Sequence, residues 1–401
     1  MTKLEKMLKY VSEHNEFYKN RGLVNNFSLS NIPVIDRLVV QGARRKILSN
    51  EYLGLNMRNL ITFVTSGSSG QPLKVYWDTN DYYTSISCLW RRRYSYYNIL
   101  PTSNVLDFNY NVYENEASGN NLKYFHSKNR LSINKASLNN EEAMRELVTL
   151  LDNTKVDWIY VQPSILERIL RYYIKHKIAF PEVKYIETVG EVLSNSLRRD
   201  MLQYTGIAIK NMYGSEEMNG IAIECPYGNM HVISENVLVE CMNDNGINQR
   251  GKGIAVITNL HNKAMPLIRY NQGDEIVLTD AKVCKCGFCD PFIDNILGRQ
   301  RASVIINGKV LDTTIIVEIV EAVNNLLEYP ICLYHFIYVA SECKLTGYIK
   351  LESAFMNWSE TISEELRVGF EKKGYLDIRI EFKINDDCLN YNKKRTIFTV
   401  R

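Results

Sequence analysis

Thr65-Ser66-Gly67-Ser68-Ser69-Gly70-Gln71-Pro72-Leu73-Lys74 is the stretch on which the fold turns. An apolar, β-branched run precedes it, Leu60-Ile61-Thr62-Phe63-Val64, with the pattern of a buried strand. A second short strand follows, Lys74-Val75-Tyr76-Trp77. Hydroxyl residues and glycines fill positions 65–70. Glycine permits positive φ and close approach, so successive N–H groups can converge on the oxygens of an anion. The hydroxyls add hydrogen bonds, and Lys74 adds a point charge. The same residues also make an ordinary polar turn between two strands. The spacing is not that of a Walker loop, in which Gly-Lys-Ser/Thr opens a helix.

The bulk properties narrow the field. A chain of 401 residues exceeds one compact core, so two domains are expected. With 48 basic and 45 acidic residues the net charge is +3, too balanced for nucleic acid to be recognised by bulk electrostatics. The densest basic run, Arg91-Arg92-Arg93, reads as a solvated helix face. No apolar run approaches the ~20 residues that span a bilayer. The start, Met1 to Lys6, lacks the apolar core of a signal peptide, so a cytoplasmic protein without membrane contact is expected. Nine cysteines, an odd number in such a chain, disfavour a disulfide framework.

Along the chain, residues 1–60 read as a helical lead-in, with Leu4, Met7, Leu8 and Val11 on one face. Asp81 to Asn98 reads as a helix, and residues 110–135 as loops. Helices and strands then alternate from Glu141 to Met212, with Ser164 as a candidate cap, which predicts a layered α/β domain with a largely parallel sheet. From Ile221 to Leu278 short strands predict a β-rich subdomain. A boundary falls near Gly298-Arg299. Beyond it, an Asn307-Gly308 hairpin, two helices and several strands predict a compact α+β unit.

Four further stretches join the glycine-rich one. Tyr213-Gly214-Ser215-Glu216-Glu217 follows a strand, where open α/β sheets bind ligands. Its tyrosine can stack on a base and a carboxylate can hold Mg²⁺, though a plain turn would look the same. In Arg269-Tyr270-Asn271-Gln272-Gly273-Asp274 the last carboxylate can accept both hydroxyls of a ribose, or simply sit in a turn. Gly298-Arg299 lies at the domain boundary, and Asn392-Lys393-Lys394-Arg395 in a polar loop before a final strand.

Taken together and in this order, these motifs resemble the adenylate-forming superfamily, and within it the phenylacetate–CoA ligase type. The resemblance is closest to the branch associated with capsular polysaccharide biosynthesis, and it covers nearly the whole chain. Thr65, Ser66, Gly67, Ser68, Ser69, Gly70 and Lys74 resemble the family's phosphate loop. Glu187 to Leu193, with Gly190 and Glu191, resembles its acyl/adenine-pocket segment. Tyr213, Gly214 and Ser215 with Glu217 resemble the adenine-stacking and magnesium-binding motif. Asp274 resembles the ribose ligand, and Arg299 the arginine at the hinge.

The resemblance implies a large, multi-subdomain N-terminal adenylation domain over 1–298, with the β subdomain at about 221–290. A small mobile α+β lid domain over 299–401 follows. It implies that a carboxylic acid attacks Mg·ATP to give an acyl-adenylate and pyrophosphate. A thiol (CoA or a carrier protein) or an amine then takes the acyl group, while some relatives transfer AMP itself to a hydroxyl. Arg299, Glu217 and Lys393, with Lys394 as a rival, would carry the catalysis. Three positions depart from the family pattern: Glu216 stands where Thr or Ser is usual, Arg301 where the hinge residue is acidic or lysine, and Asn392 where glycine precedes the lysine. A non-catalytic nucleotide-binding protein is therefore the rival reading, and a nucleic-acid-binding zinc protein a weaker one.

One site stands apart from the nucleotide. Cys225 and His231 form one short-spaced pair and Cys284 and Cys286 another, with Cys289 in reserve. Thiolates and imidazole in two such pairs suit a tetrahedral structural zinc that pins the β subdomain. The alternative is that these cysteines are small buried hydrophobes.

Overall fold

The strands flanking the glycine-rich stretch, Ile61–Val64 and Lys74–Trp77, pair antiparallel with Val64 opposite Lys74. The computed structural model describes residues 1–22, 28–65, 73–109, 121–138, 140–299, 303–327, 330–351, 353–384 and 397–400. Ser66, Gly67, Ser68, Ser69, Gly70, Lys393 and Lys394 lie outside the described residues. The chain divides into two compact units.

The first unit comprises Met1–Ser103, Glu187–Gly190 and Lys210–Ile296. It opens on the helix Lys3–His14, whose start is fixed by a capping box between Thr2 and Glu5. Met7, Leu8 and Val11, on one face of that helix, are buried against the unit's core. The β-rich part is an antiparallel run in which Val237–Asn243, Gly251–Asn259 and Tyr270–Thr279 are successive neighbours. Along Tyr270–Thr279 every second residue is buried, the period of a half-buried strand, which places Tyr270, Gln272 and Asp274 on one face. The helix Thr79–Tyr97 packs on this unit, started by the Asp78 side chain and stopped by Asn98 in the left-handed region. Its arginines correct the sequence reading. Arg91 is exposed, but Arg92 and Arg93 are buried.

The second unit comprises Asn104–Ile186, Glu191–Ile209 and Leu297–Arg401. Val105–Asn109 lies between Trp158–Val161 and Arg130–Asn134, parallel to both. Tyr124–Ser127 adds an antiparallel edge. Part of the stretch read as loop over 110–135 is thus sheet, while 110–120 lies outside the described residues. The helices Glu141–Asp152, Pro163–His176 and Asn195–Thr205 bury their apolar stripes in one core with these strands. Ser164 is not the cap. Pro163 occupies the first turn of its helix, where its missing N–H costs nothing, and Gln162 stands at the cap position.

The C-terminal segment has a core of its own. Helices Thr313–Leu326 and Ser359–Lys372 pack with a four-stranded sheet ordered Arg379–Ile384, Lys344–Leu351, Ile331–Val339 and Phe398–Val400. The Asn307-Gly308 turn joins Ser303–Ile306 to Lys309–Asp312, with both turn residues at positive φ. Among the described residues, no helix is long and apolar enough to cross a membrane.

Candidate active site

Thr65 and Leu73 close the base of the glycine-rich stretch. Thr65 N–H donates to the Leu73 carbonyl at 2.9 Å, and Leu73 N–H donates to the Thr65 hydroxyl at 3.1 Å. Lys74, the first residue of the following strand, is exposed. Three residues on, Trp77 is fully buried and its Nε1–H donates to the Glu216 carbonyl at 3.1 Å. The strand leaving the loop is thereby tied to the turn that carries Glu216 and Glu217.

That turn differs in detail from the sequence reading. The strand runs from Lys210 through Ser215, so Tyr213, Gly214 and Ser215 lie inside it. It pairs antiparallel with Asn219–Glu224 and is irregular at Tyr213/Gly214. A Cβ on Gly214 would lie 2.4 Å from the Asn219 carbonyl oxygen, so only glycine fits this close approach. The hairpin holds Glu217 buried, and the Tyr270 hydroxyl donates to Glu217 Oε1 at 3.4 Å.

The ribose-type motif meets the same place. Tyr213 Oη donates to Asp274 Oδ2 at 2.7 Å, across 61 positions of sequence. Gln272 reaches both groups, its Nε2 lying 3.5 Å from Tyr213 Oη and from Asp274 Oδ2. Ser215 Oγ donates to Gln272 Oε1 at 3.4 Å. One strand face thus brings Tyr270, Gln272 and Asp274 to the hairpin bearing Tyr213, Ser215 and Glu217. Arg269 of the same motif serves the scaffold instead. It is buried at φ 50° and makes a two-pronged ion pair with Glu240, at 3.0 and 2.8 Å.

The remaining expected site residues lie on other elements. Gly190, at φ 80°, turns the chain after the strand Tyr185–Val189. Glu191 accepts the Ser164 N–H at 3.1 Å and so caps the helix Pro163–His176 from outside. Arg299 ends the strand Phe292–Arg299 and is exposed. Just before it, Gly298 stands at φ 103°.

The Cys/His residues converge. The donor atoms of Cys225, His231, Cys284 and Cys286 all lie within 4.8 Å of one another. Cys225 Sγ and Cys284 Sγ are 3.9 Å apart, and Cys286 Sγ is 3.2 Å from His231 Nε2. A tetrahedron with Zn–S bonds of about 2.3 Å has S···S edges of about 3.8 Å, which the 3.9 Å separation of the Cys225 and Cys284 sulfurs matches. Local structure explains the match. In Cys225-Pro226-Tyr227-Gly228 and Cys284-Lys285-Cys286-Gly287 the glycine N–H donates back to the first cysteine's carbonyl, at 3.0 Å in each. Both glycines have positive φ. His231 lies on the short strand Met230–Val232, paired with Asn219–Glu224 and, through His231 itself, with Phe292. Burial lowers the His231 pKa, which keeps its imidazole in the neutral, metal-binding form. Its Nδ1 is buried and has no hydrogen-bond partner among the described residues. Cys289, the reserve ligand, is exposed and stands outside the quartet.

Sequence reasoning missed Arg37. Its Nη2 donates to the Thr65 hydroxyl at 2.7 Å, yet no motif in the chain contains it. The polar, positively charged first residue of a short helix carries no distinguishing signal in the sequence alone.

The model of the AMP-binding enzyme family matches residues 57–238. A phenylacetate-coenzyme A ligase of Thermus thermophilus is 28% identical over 170 residues, covering 40% of this chain and 38% of that protein. Protein CapK of Staphylococcus aureus is 20% identical over 327 residues, covering 74% of this chain and 66% of that protein. The chain thus spans less than two thirds of the length of these curated relatives. Among solved structures, 2-hydroxyisobutyryl-CoA ligase in the postadenylation state with 2-HIB-AMP superposes with a TM-score of 0.70 at 14% identity. The match covers 100% of this chain and 88% of that one, and it establishes a shared fold. Motif order, the family-model match over residues 57–238, the relatives and the fold point the same way: the chain is similar to adenylate-forming enzymes, and among them to the phenylacetate–CoA ligase type.

Proposed function

We propose that the protein is an AMP-forming ligase that activates a carboxylic acid with ATP. The observation that carries the reading is the contact between Tyr213 and Asp274, at 2.7 Å, beside the buried Glu217. A base-stacking ring, a ribose-binding carboxylate and a magnesium-binding carboxylate are needed together by a nucleotide and by little else.

In the first step a carboxylate oxygen bonds to the α-phosphorus while its bond to the bridging oxygen of pyrophosphate breaks. Thr65, Lys74 and the glycine-rich residues Ser66 to Gly70 would steady the departing charge. Arg299 and Lys393, or Lys394, would bridge the attacking carboxylate and the α-phosphate. In the second step a nucleophile attacks the acyl carbonyl and AMP leaves. When bound, Mg²⁺ at Glu217 offsets phosphate charge. We place the catalytic domain at 1–298 and the lid at 299–401, a division supported by the separate core of the C-terminal segment. The acceptor belongs to the thiol class, CoA or a carrier protein, or to the amines. We further propose that Cys225, His231, Cys284 and Cys286 hold one structural zinc, on the strength of their spacing.

ATP–pyrophosphate exchange over a panel of carboxylic acids tests the reading. Exchange that depends on one class of acid is expected. ATP binding with no exchange for any acid would favour a non-catalytic nucleotide-binding protein, the reading to which Glu216 lends support by adding negative charge next to Glu217.

A further inference from the structure

The Thr65 hydroxyl accepts two hydrogen bonds, from Arg37 Nη2 at 2.7 Å and from the Leu73 N–H at 3.1 Å. A hydroxyl has two acceptor sites and one proton. With both acceptor sites taken, the oxygen can act further only as a donor. Among the described residues no group accepts that proton. One of the two donors is a cation, and donors feeding a hydroxyl strengthen its own O–H as a donor. The partner that suits it is an anionic oxygen.

Arg37 is held in place by structure other than Thr65. Two residues before it, Ile35 forms a parallel bridge to Tyr270. Ile35 N–H donates to the Arg269 carbonyl at 3.0 Å, and Asn271 N–H donates to the Ile35 carbonyl at 2.7 Å. Asp36 caps the helix Arg37–Ala43 by accepting the Val39 N–H at 2.9 Å. The guanidinium is thus carried on a segment stitched to the strand bearing Tyr270, Gln272 and Asp274, and reaches the base of the glycine-rich stretch. A staple needed only to close that base would not require a charge, since Leu73 and Thr65 already close it through backbone atoms.

We propose that Arg37 is a positioning residue that orients Thr65 as a hydrogen-bond donor to the terminal phosphoryl oxygens of ATP and to free pyrophosphate. This rests on the adenylation reading above. It assigns Arg37 and Thr65 to the pyrophosphate moiety alone, so AMP should be indifferent to them.

The test is equilibrium binding of ATP, inorganic pyrophosphate and AMP to the full chain, with Mg²⁺, for the wild type and for Arg37→Met, Arg37→Lys, Thr65→Val and the Arg37→Met/Thr65→Val pair. Arg37→Met should weaken ATP and pyrophosphate by about tenfold or more and AMP by less than about twofold. Arg37→Lys should recover part of that loss. The double variant should be no weaker than Thr65→Val, because the two residues act through one hydroxyl. Retained AMP binding also certifies that each variant is folded. Equal weakening of AMP and ATP, an unchanged ATP affinity, or full additivity would overturn the proposal. A wild type that binds neither nucleotide would instead overturn the adenylation reading on which it stands.

Discussion

Arg93 and Glu187 form a bidentate ion pair, with Nε–Oε2 at 2.9 Å and Nη2–Oε1 at 2.6 Å, and Glu187 is 0% exposed. Their neighbour Arg92 spans Glu235 at 2.7 Å and Asp290 at 2.9 Å, with its guanidinium 3.7 Å from the Phe288 ring centre. Such pairs add little net stability when intact, because desolvation offsets attraction, but breaking one leaves a buried charge alone. Arg93→Ala should therefore cost about 3–5 kcal/mol, while the Arg93→Met/Glu187→Met double variant should stay within about 2 kcal/mol of the wild type. Chemical denaturation of the three proteins gives both numbers, and a single-variant cost under about 1 kcal/mol would show that the pair is solvated after all. The arginine run was illegible in the sequence for a geometric reason. Three consecutive helical residues sweep about 200° of the helix surface, so no such run lies on one face. Only the partners, 94 positions away for Arg93 and 143 for Arg92, decide which arginines turn inward.

At the scale of elements, the alternation of helices and strands from Glu141 to Met212 was legible because each element carries its own period and punctuation. What the periodicity could not locate was the end of the strand at Lys210–Ser215, because the hairpin there depends on the close approach of Gly214 to Asn219. Nor could it show how the strand starts are aligned. Asp157 does this for the second unit. It accepts the Asn104 N–H at 2.8 Å and lies 3.1 Å from Lys184 Nζ, while backbone bonds at 2.8 Å link Asp157 to Asn104 and Lys184. The Asn104 N–H, and after it Lys184, hold its carboxyl below the usual range. Lys184 is 66% exposed, so the backbone donor carries most of the effect. A depressed native pKa contributes stability above the unfolded value of about 4, and that stability is lost as the pH falls through the native value. Asp157→Asn should cost roughly 1–2 kcal/mol near neutral pH and nothing in strong acid. Urea melts across that pH range check it. A difference that does not change with pH would assign the loss to packing rather than charge.

At the scale of the whole molecule, the nucleotide motifs and the Cys/His quartet differ in why they could be read. Each motif expected to meet the nucleotide was alone also a credible turn, and only their order along the chain made the resemblance to the superfamily legible. The quartet was legible from residue type and spacing, because soft ligands on two tight turns have few other uses. Its structural consequence was not legible. Cys225 and Cys284 are 59 positions apart, and the turn at Cys284–Gly287 joins the long strand Tyr270–Thr279 to Phe292–Arg299. A zinc at this point would cross-link two loops of the first unit and, through Phe288 and Asp290, steady the helix that carries Arg92. Binding to the folded chain alone then becomes folding free energy. Purified protein should contain one zinc per chain by elemental analysis. Cys284→Ser should lose it and lower the thermal midpoint by roughly 5–10 °C. Cys289→Ser should leave both unchanged, since that thiol is exposed and outside the quartet. ATP binding should survive the metal's removal at temperatures where the apo protein stays folded, because Tyr213, Glu217 and Asp274 hold one another through their own strand and hairpin. Zinc-free protein at full stability would reduce the quartet to buried thiols. Loss of ATP binding with the fold intact would mean that the metal also fixes the hairpin bearing Glu217.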